Sequence, residues 1–230
     1  MTRKVKPPTV ITEDCNGCKR CVTICPGLVL EMNGAKAEVV REEWCIGCGH
    51  CGAVCPTEAI LPEGGALDEH PKKGEAPAIS PEVLEMLFKK RRSVRLYTSA
   101  SVPEEILTKI PDAARSAPTG TNSQNVHYVV LKTPDTIAML QKMTISFYGK
   151  VFSRVRGRFG RFLLSLVAGR RLMEYLWESL PKVERRYEQM KQGKDPLFFH
   201  APVVMLTHAE SWDTCSSFNC SVALYHCSLM

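Results

Sequence analysis

The sequence predicts two domains of unequal size, a small cysteine-rich domain followed by a larger one that contains both helix and strand. Eight of the eleven cysteines fall within the first 55 residues. A helix-start signal comes at Ser80-Pro81, and an apolar strand pattern runs from Val126 to Leu131. A length of 230 residues accommodates both domains and a linker between them.

The composition is that of a folded, soluble protein with a net positive charge. Apolar residues make up 44% and charged residues 23%, which excludes collagen, coiled-coil and low-complexity chains. Residues 147–200 contain twelve Lys or Arg and five Asp or Glu, an excess of +7 against +6 for the whole chain. Such a block binds nucleic acid, an anionic membrane or an acidic protein, or forms the solvated face of helices. We favour the helical face, because basic and apolar residues mix at helical spacing and no nucleic-acid fold motif accompanies them.

No targeting signal is recognisable in the sequence. Residues 1–9 lack the apolar run of a secretory signal, and the longest apolar stretch, Phe162 to Gly169, is shorter than the roughly 20 residues of a spanning helix. We therefore expect a cytoplasmic protein with no membrane span. In a reducing compartment, clustered cysteines are more often metal ligands or redox groups than disulfides.

The N-terminal cysteines form an internal duplication. Each set has the spacing C-x2-C-x2-C-x3-C followed by proline, and the second set lies 30 residues after the first. Four thiolates at this spacing suit a cubane iron–sulfur cluster, with the fourth cysteine of each set ligating the other cluster. Zinc and disulfides are the alternatives, but zinc prefers paired C-x2-C units and disulfides belong to secreted chains. The sets are Cys15, Cys18, Cys21 and Cys25, and Cys45, Cys48, Cys51 and Cys55.

Residues 8–66 resemble the bacterial-type ferredoxins with two [4Fe–4S] clusters. The resemblance implies that three cysteines of one set and the last cysteine of the other share each cluster. The domain is expected to span residues 1–67 and, having little core, to be held folded by its clusters. We expect the first cluster on Cys15, Cys18, Cys21 and Cys55, and the second cluster on Cys45, Cys48, Cys51 and Cys25.

A linker at residues 68–79 and a second domain at residues 80–230 are expected to follow. The linker is inferred from a stretch rich in Gly, Pro and charge. The helix that starts at Pro81 carries an apolar stripe and ends in a basic segment, residues 89–95, whose guanidinium groups and hydroxyl suit a phosphate monoester. A polar loop at residues 117–124 then leads into a strand.

These two segments, in this order, resemble the start of the nitroreductase family of FMN flavoproteins. They read Arg91-Arg92-Ser93-Val94-Arg95 and Ala117-Pro118-Thr119-Gly120-Thr121-Asn122-Ser123-Gln124. The resemblance implies an α+β fold with a mixed central sheet flanked by helices, and a homodimer with FMN at the subunit interface. It implies that the FMN phosphate and ribityl chain are held by Arg91, Arg92, Ser93 and Arg95. It also implies that the loop covering the flavin of the other subunit contains Pro118, Thr119, Gly120 and Asn122.

The C-terminal part departs from this family. Asn219 stands where the family usually has Asp, at the start of what resembles its long dimer helix, and the chain stops at Met230 within that helix. We therefore expect a nitroreductase-like domain that is incomplete at its C-terminus. Residues 134–200 match the family poorly, and the resemblance places the substrate pocket there. Ordinary buried thiols are expected at Cys215, Cys220 and Cys227.

The combined resemblance implies an iron–sulfur flavoenzyme. Electrons would pass from a low-potential donor, reduced ferredoxin or NAD(P)H, through two [4Fe–4S] clusters to FMN and on to a small oxidised acceptor of the nitroaromatic, quinone or activated-alkene type. No catalytic nucleophile is expected among the side chains, because the cofactor carries the chemistry. One alternative is a non-catalytic electron-transfer module whose degenerate flavin domain serves for dimerisation or docking. A redox sensor is a third hypothesis.

Overall fold

The structure, a computed structural model, describes residues 5–63 and 78–230, and between residues 152 and 177 it describes the backbone with few side chains. The expected linker at 68–79, apart from its last two residues, lies outside the described residues, as do the basic side chains between residues 152 and 177. Two compact units are formed. One contains residues up to Arg91, Thr108–His127 and Thr207–Met230, and the other contains Arg92–Leu107 and Tyr128–Leu206. The first unit thus combines the cysteine-rich region with two later segments of the chain.

The cysteine-rich region consists of four short strands and two short helices. Strands β1 (Thr9–Val10) and β4 (Ile60–Leu61) pair antiparallel, and so do β2 (Leu30–Asn33) and β3 (Lys36–Val39). Helices α1 (Arg20–Ile24) and α2 (His50–Ala53) each begin within a cysteine set, at positions 30 residues apart. The duplication in the sequence is therefore also a duplication in the backbone.

The core of this region is small and contains a cysteine. Cys21, Leu30, Ala37 and Ile60 are buried together, and Leu30 is only 1% exposed. Two cysteines from the second set, Cys51 and Cys55, and Cys15 from the first pack against this cluster partly buried. Apolar contacts and predicted cluster ligands therefore share one interior.

The remaining chain is mainly helical. Its elements are α3 (Pro81–Lys90), α4 (Glu104–Ala114), a 3₁₀ turn (Gly120–Asn122), β5 (His127–Leu131), α5 (Pro134–Arg156), α6 (Arg158–Lys191), β6 (Val204–His208) and α7 (Ser216–Cys227). Strands β5 and β6 form a two-stranded sheet, and α5 lies against α6. Of the helices in the described residues, none is both long and apolar enough to cross a bilayer.

Helix α3 begins where the sequence predicts. The Val83 N–H donates to the Ser80 hydroxyl at 3.4 Å, and Pro81 occupies the first turn, where a missing N–H costs no helical hydrogen bond. Helix α5 starts in the same way, with the Thr136 N–H donating to the Thr133 hydroxyl at 3.4 Å. The N-cap predicted at Ser80 is confirmed.

Leu30→Ala should destabilise the cysteine-rich region by about 2 to 4 kcal/mol, because it removes a fully buried side chain from a core too small to repack. Hydrogen–deuterium exchange of β2 and β3 measures the change. Leu61→Ala is the matched control, since that side chain is 48% exposed. Equal exchange in the two variants would show that Leu30 does not carry the core.

Candidate cofactor sites

Four thiols line one small cavity in the cysteine-rich region. Three belong to the second cysteine set, and the fourth, Cys25, comes from the end of α1. The Cys25 Sγ also accepts the Val29 N–H at 3.3 Å. The structure therefore brings together residues from both halves of the duplication, and they are the four predicted for the second cluster: Cys25, Cys45, Cys48 and Cys51.

The electrostatics of this cavity suit a metal cluster. Burial raises the pKa of Cys51 to about 11, although a backbone hydrogen bond from Gly52 opposes it, and the charges of Cys48, Cys25 and Cys45 raise the pKa further. A thiol in this environment resists losing its proton to water. Bound iron would supply the missing positive charge, since a coordinating thiol is deprotonated outright. The donor set thus fits an iron–sulfur cluster.

Three of the four ligands predicted for the first cluster, Cys15, Cys18 and Cys21, lie just before or within α1. Burial raises the pKa of Cys21, and the charges of Cys15 and Cys18 raise it further. Burial also acts to raise the pKa of Cys55, but hydrogen bonds, those from the Thr57 side chain and backbone foremost, outweigh it and lower the pKa. Cys15 and Cys55 both pack against the core that contains Cys21.

Within residues 5–63 and 78–230, no three metal-binding side chains converge on a point that would hold a single ion. A cubane cluster does not require such convergence, because each thiolate binds a separate iron at a separate corner. The loops around the thiols are nonetheless tight. Gly17 and Gly47 have φ of +71° and +64°, and a Cβ at Gly17 would lie 2.4 Å from the Ala35 carbonyl oxygen. Glycine is required at this turn.

The segment predicted to bind phosphate is exposed at the end of α3. The Arg91 N–H donates to the Leu87 carbonyl at 3.2 Å and ends that helix. Arg91 belongs to the first compact unit, whereas Arg92, Ser93 and Arg95 belong to the second. All four residues are exposed. Guanidinium and hydroxyl groups are the side-chain donors that suit a phosphate monoester.

Arg95 is positioned by a turn before β6. Its Nη1 donates to the Ser93 carbonyl at 3.4 Å, and its guanidinium lies 5.6 Å from the centre of the Phe199 ring. The Asp195 carboxylate fixes that turn by accepting N–H groups from Leu197, Phe198 and His200 at 2.8 to 3.1 Å. Although partial burial opposes them, these bonds lower the pKa of Asp195.

The loop predicted to cover the flavin is already bonded on several sides. The Thr119 hydroxyl accepts the Gln124 N–H at 3.0 Å, and the Gly120 N–H donates to the Asn219 Oδ1 at 2.9 Å. The Asn122 Nδ2 donates to the carbonyls of both Ile46 and Gly47 at 2.9 Å. Pro118, the first residue of the loop, is exposed. Each of these bonds lies within the first compact unit.

Asn219 anchors this loop to α7. The side chain is completely buried, and its Nδ2 lies 3.3 Å from the Ser123 hydroxyl, the Asn125 Oδ1 and the Asp213 Oδ2. Because the amide both donates and accepts, it satisfies the Gly120 N–H and the Asp213 carboxylate together. An aspartate at position 219 would face Asp213 with a second carboxylate. The structure thereby gives a physical reason for the asparagine that departs from the family pattern.

Sequence reasoning missed two members of this network. Asn125 donates from its Nδ2 to the Asp213 Oδ2 at 2.7 Å, and the Asp213 Oδ1 accepts the Cys215 N–H at 2.8 Å. Cys215 in turn crowds the loop, because a Cβ at Gly120 would lie 2.6 Å from its sulfur. These residues are almost 90 positions apart in the chain, and no local pattern links them.

Two family models match the chain. Residues 88–216, more than half of the chain, match the nitroreductase family. The chain belongs to the nitroreductase family. Residues 14–60 match a 4Fe-4S dicluster domain, ahead of the nitroreductase-family domain. The α+β fold and the preceding ferredoxin-like region that the sequence predicts are confirmed by these matches.

One curated protein is similar to part of this chain. A protein of Methanothermobacter thermautotrophicus, named provisionally as an NADH dehydrogenase/NAD(P)H nitroreductase, is 39% identical over 62 residues, which are 27% of this chain and 30% of the relative. The match therefore spans less than a third of that curated relative.

Solved structures similar to this chain include two nitroreductases. One, with bound FMN, comes from Bacteroides fragilis (19% identity, TM-score 0.41, covering 65% of this chain and 64% of that one). The other is the FMN-dependent nitroreductase NfnB of Mycobacterium smegmatis in complex with NADPH (19% identity, TM-score 0.42, covering 64% and 69%). The assignment of this chain's fold rests on the match of residues 88–216 to the nitroreductase family, and not on these two structures.

Asn219→Ala should destabilise the nitroreductase-family domain by about 1 to 3 kcal/mol, because it leaves the Gly120 N–H without its acceptor. Asn219→Asp should also destabilise it, because a carboxylate loses the donor that faces Asp213. Chemical denaturation measures both. Ser221→Ala, an exposed position on the same helix, is the control. Wild-type stability in both Asn219 variants would contradict an anchoring role.

Proposed function

We propose that this chain is an iron–sulfur flavoprotein oxidoreductase. It would carry electrons through two [4Fe–4S] clusters to FMN and reduce a small acceptor of the nitroaromatic, quinone or activated-alkene type. The observation that carries the proposal is the cavity lined by Cys25, Cys45, Cys48 and Cys51, in a chain that also contains a nitroreductase-family domain. A donor set for single-electron carriers and a flavoprotein-type domain thus occur in one polypeptide.

The proposed cluster ligands follow the exchange between the two cysteine sets. The cavity supports the second cluster on Cys45, Cys48, Cys51 and Cys25. The grouping of Cys15 and Cys18 with Cys21, and the packing of Cys55 on the same core, support the first cluster. Proposed domain limits are residues 1–67 for the ferredoxin domain, 68–79 for the linker and 80–230 for the FMN domain.

FMN is proposed as the second cofactor because the Bacteroides fragilis nitroreductase contains bound FMN and the Mycobacterium smegmatis enzyme is FMN-dependent. When bound, FMN interconverts single-electron and two-electron transfer. The chain's own contribution is binding. Arg91, Arg92, Ser93 and Arg95 would neutralise and hydrogen-bond the phosphate, and Phe199 would keep the Arg95 guanidinium in place. The loop from Pro118 to Asn122 would lie against the flavin of the other subunit.

The proposed electron donor is reduced ferredoxin or NAD(P)H. The name of the Methanothermobacter relative and the NADPH in the Mycobacterium smegmatis structure favour a nicotinamide donor. An exposed cysteine loop, with Cys18 at the surface, favours a protein donor at the first cluster. A cytoplasmic location accords with either donor and is part of the proposal.

We further propose a homodimer. All ten residues of α3 are exposed, and four of them form the apolar stripe that the sequence places on one face. Val83, Leu84, Leu87 and Phe88 are 42% to 52% exposed, which is unusual for large apolar side chains on an amphipathic helix. A second copy of the chain would cover this stripe.

Protein purified without oxygen should contain about eight iron atoms, about eight acid-labile sulfides and one FMN per chain, as two cubane clusters and one flavin require. Iron, sulfide and flavin released on denaturation give the count. Eight irons without flavin would favour the non-catalytic electron-transfer module, and four irons would contradict the pair of clusters.

Arg95→Ala should lower FMN occupancy at least about tenfold, because a charge-assisted hydrogen bond to phosphate contributes roughly 1.5 to 3 kcal/mol. Flavin fluorescence after dialysis against FMN measures it. Arg115→Ala is the control, since Arg115 is an exposed arginine paired with Asp112 at 3.0 Å. Unchanged occupancy in Arg95→Ala would argue against phosphate binding at this segment.

Removal of iron by a chelator should unfold the cysteine-rich region, because its apolar core is small and the thiols of Cys21 and Cys51 lie in or against it. Hydrogen–deuterium exchange of residues 5–63 should rise to the level of an unfolded chain. Strands β5 and β6 serve as the internal reference. Unchanged protection in residues 5–63 would mean that the clusters do not hold the fold.

A further inference from the structure

We propose that Asn122 is the positioning residue that ties the second cluster to the flavin domain, and that the second cluster is the one that exchanges electrons with FMN. The inference rests on the proposed function and adds an order to it: donor, first cluster, second cluster, flavin. The resemblance gives Asn122 a place in the flavin loop. The two hydrogen bonds that its Nδ2 donates both go to the second cysteine loop.

The contact is direct and specific. The Nδ2 of Asn122 lies 2.9 Å from the carbonyl oxygens of Ile46 and Gly47, which stand between the ligands Cys45 and Cys48. Ile46 also lines the cavity of the second cluster. All of these residues belong to the first compact unit. One side chain of the flavin loop therefore holds the backbone that wraps the second cluster.

The two halves of the duplication differ at this point. In the first cysteine loop, the residue equivalent to Ile46 is Asn16, whose Oδ1 accepts the Cys18 N–H at 3.2 Å. In the same loop, the Cys15 carbonyl accepts a hydrogen bond from the Lys36 ammonium at 2.7 Å. Both partners lie within the ferredoxin region itself. The second loop instead obtains its side-chain donor from a residue 75 positions away.

The first cysteine loop is also more exposed than the second. Cys18 and Lys19 are exposed, whereas their counterparts 30 residues later, Cys48 and Gly49, are half-buried and buried. The backbone is nevertheless alike, with φ of 64° at Lys19 and 69° at Gly49. The surroundings, and not the loop conformation, therefore distinguish the two sites. The first loop faces solvent, and the second contacts the flavin loop through Asn122.

The flavin loop is rigid enough to impose this position. Gly120, two residues before Asn122, is bonded to the buried Asn219, and the Asn122 N–H donates to the Thr119 carbonyl at 3.0 Å. The Asn122 Oδ1 accepts the Gln124 Nε2 at 3.3 Å, which orients the amide so that its two N–H groups point at the carbonyls. The order of transfer then follows from position.

The electron count fits a one-electron protein donor. Cys15, Cys18, Cys21 and Cys55 would hold the cluster that accepts one electron from each of two reduced ferredoxins. Cys45, Cys48, Cys51 and Cys25 would hold the cluster through which both electrons reach FMN. The acceptor would take up the two electrons with two protons from solvent, which would leave the clusters and the flavin oxidised.

Asn122→Asp and Asn122→Gly are the informative variants. Asn122 has φ of 55°, a left-handed conformation that Asp and Gly tolerate, so both changes keep the backbone. Each removes the two donors. Asn16→Ala is the matched control in the first loop, since it removes a side chain that bonds only its own loop. Cys18→Ser and Cys48→Ser assign the electron paramagnetic resonance signal of each cluster.

Three measurements are made on the holoprotein. Hydrogen–deuterium exchange follows residues 44–49 and 14–19, potentiometric titration follows each cluster signal, and stopped flow follows flavin reduction by reduced ferredoxin. Both Asn122 variants should show faster exchange at 44–49 only. They should also show a lower potential of the second cluster only, because donors near a cluster stabilise its reduced form. Flavin reduction should slow several-fold, and Asn16→Ala should change the first loop alone.

Unchanged exchange at residues 44–49 and an unchanged second-cluster potential in both variants would overturn the inference. So would an effect on the first cluster, or a loss of FMN with an undisturbed cysteine loop, which would return Asn122 to flavin binding. The proposed function fails separately. Wild-type protein without FMN would refute it and the transfer order, while the exchange and potential measurements would still test the bond between Asn122 and the second loop.

Discussion

The arrangement around the flavin loop depends on the burial of one amide. Among the described residues, Asn219 is the polar side chain that is fully removed from solvent. A buried amide must find partners for its donors and its acceptor, or the free energy of folding suffers. Here the partners are Gly120, Ser123, Asn125 and Asp213. These hydrogen bonds fix the positions of the 3₁₀ turn and of the segment before α7 relative to α7. Asn122 acquires its position from that arrangement.

The features that could be predicted from the sequence are those that depend on residues close together in the chain. Four cysteines within eleven residues, repeated 30 residues later, identify a cluster-binding loop without any knowledge of its neighbours. Ser80 and Pro81 likewise identify a helix start, because capping involves only the first turn. The family resemblance also allowed the α+β fold to be predicted, together with the loop at residues 118–122, whose motif is continuous in the chain.

The partners of those motifs could not be predicted in the same way. That Asn122 would bond Gly47, or that Phe199 would lie beside Arg95, depends on packing between segments 75 and 104 positions apart. Polar side chains such as Asn and Asp form many alternative bonds with similar energies, so their residue type does not specify a partner. Asn219 shows the limit clearly: the sequence marks it as a departure, and only its surroundings explain it.

The two cysteine loops have similar backbones but different hydrogen-bond partners. Both loops keep left-handed turns at equivalent positions, yet one is supported from within by Asn16 and Lys36 and the other from outside by Asn122. A gene duplication yields two interchangeable halves at first. Here exchanging residues 15–25 with 45–55 would conserve every thiol and leave Asn122 opposite a loop that already has its own support. The two cysteine loops are therefore alike in backbone but no longer interchangeable, because each depends on different hydrogen-bond partners.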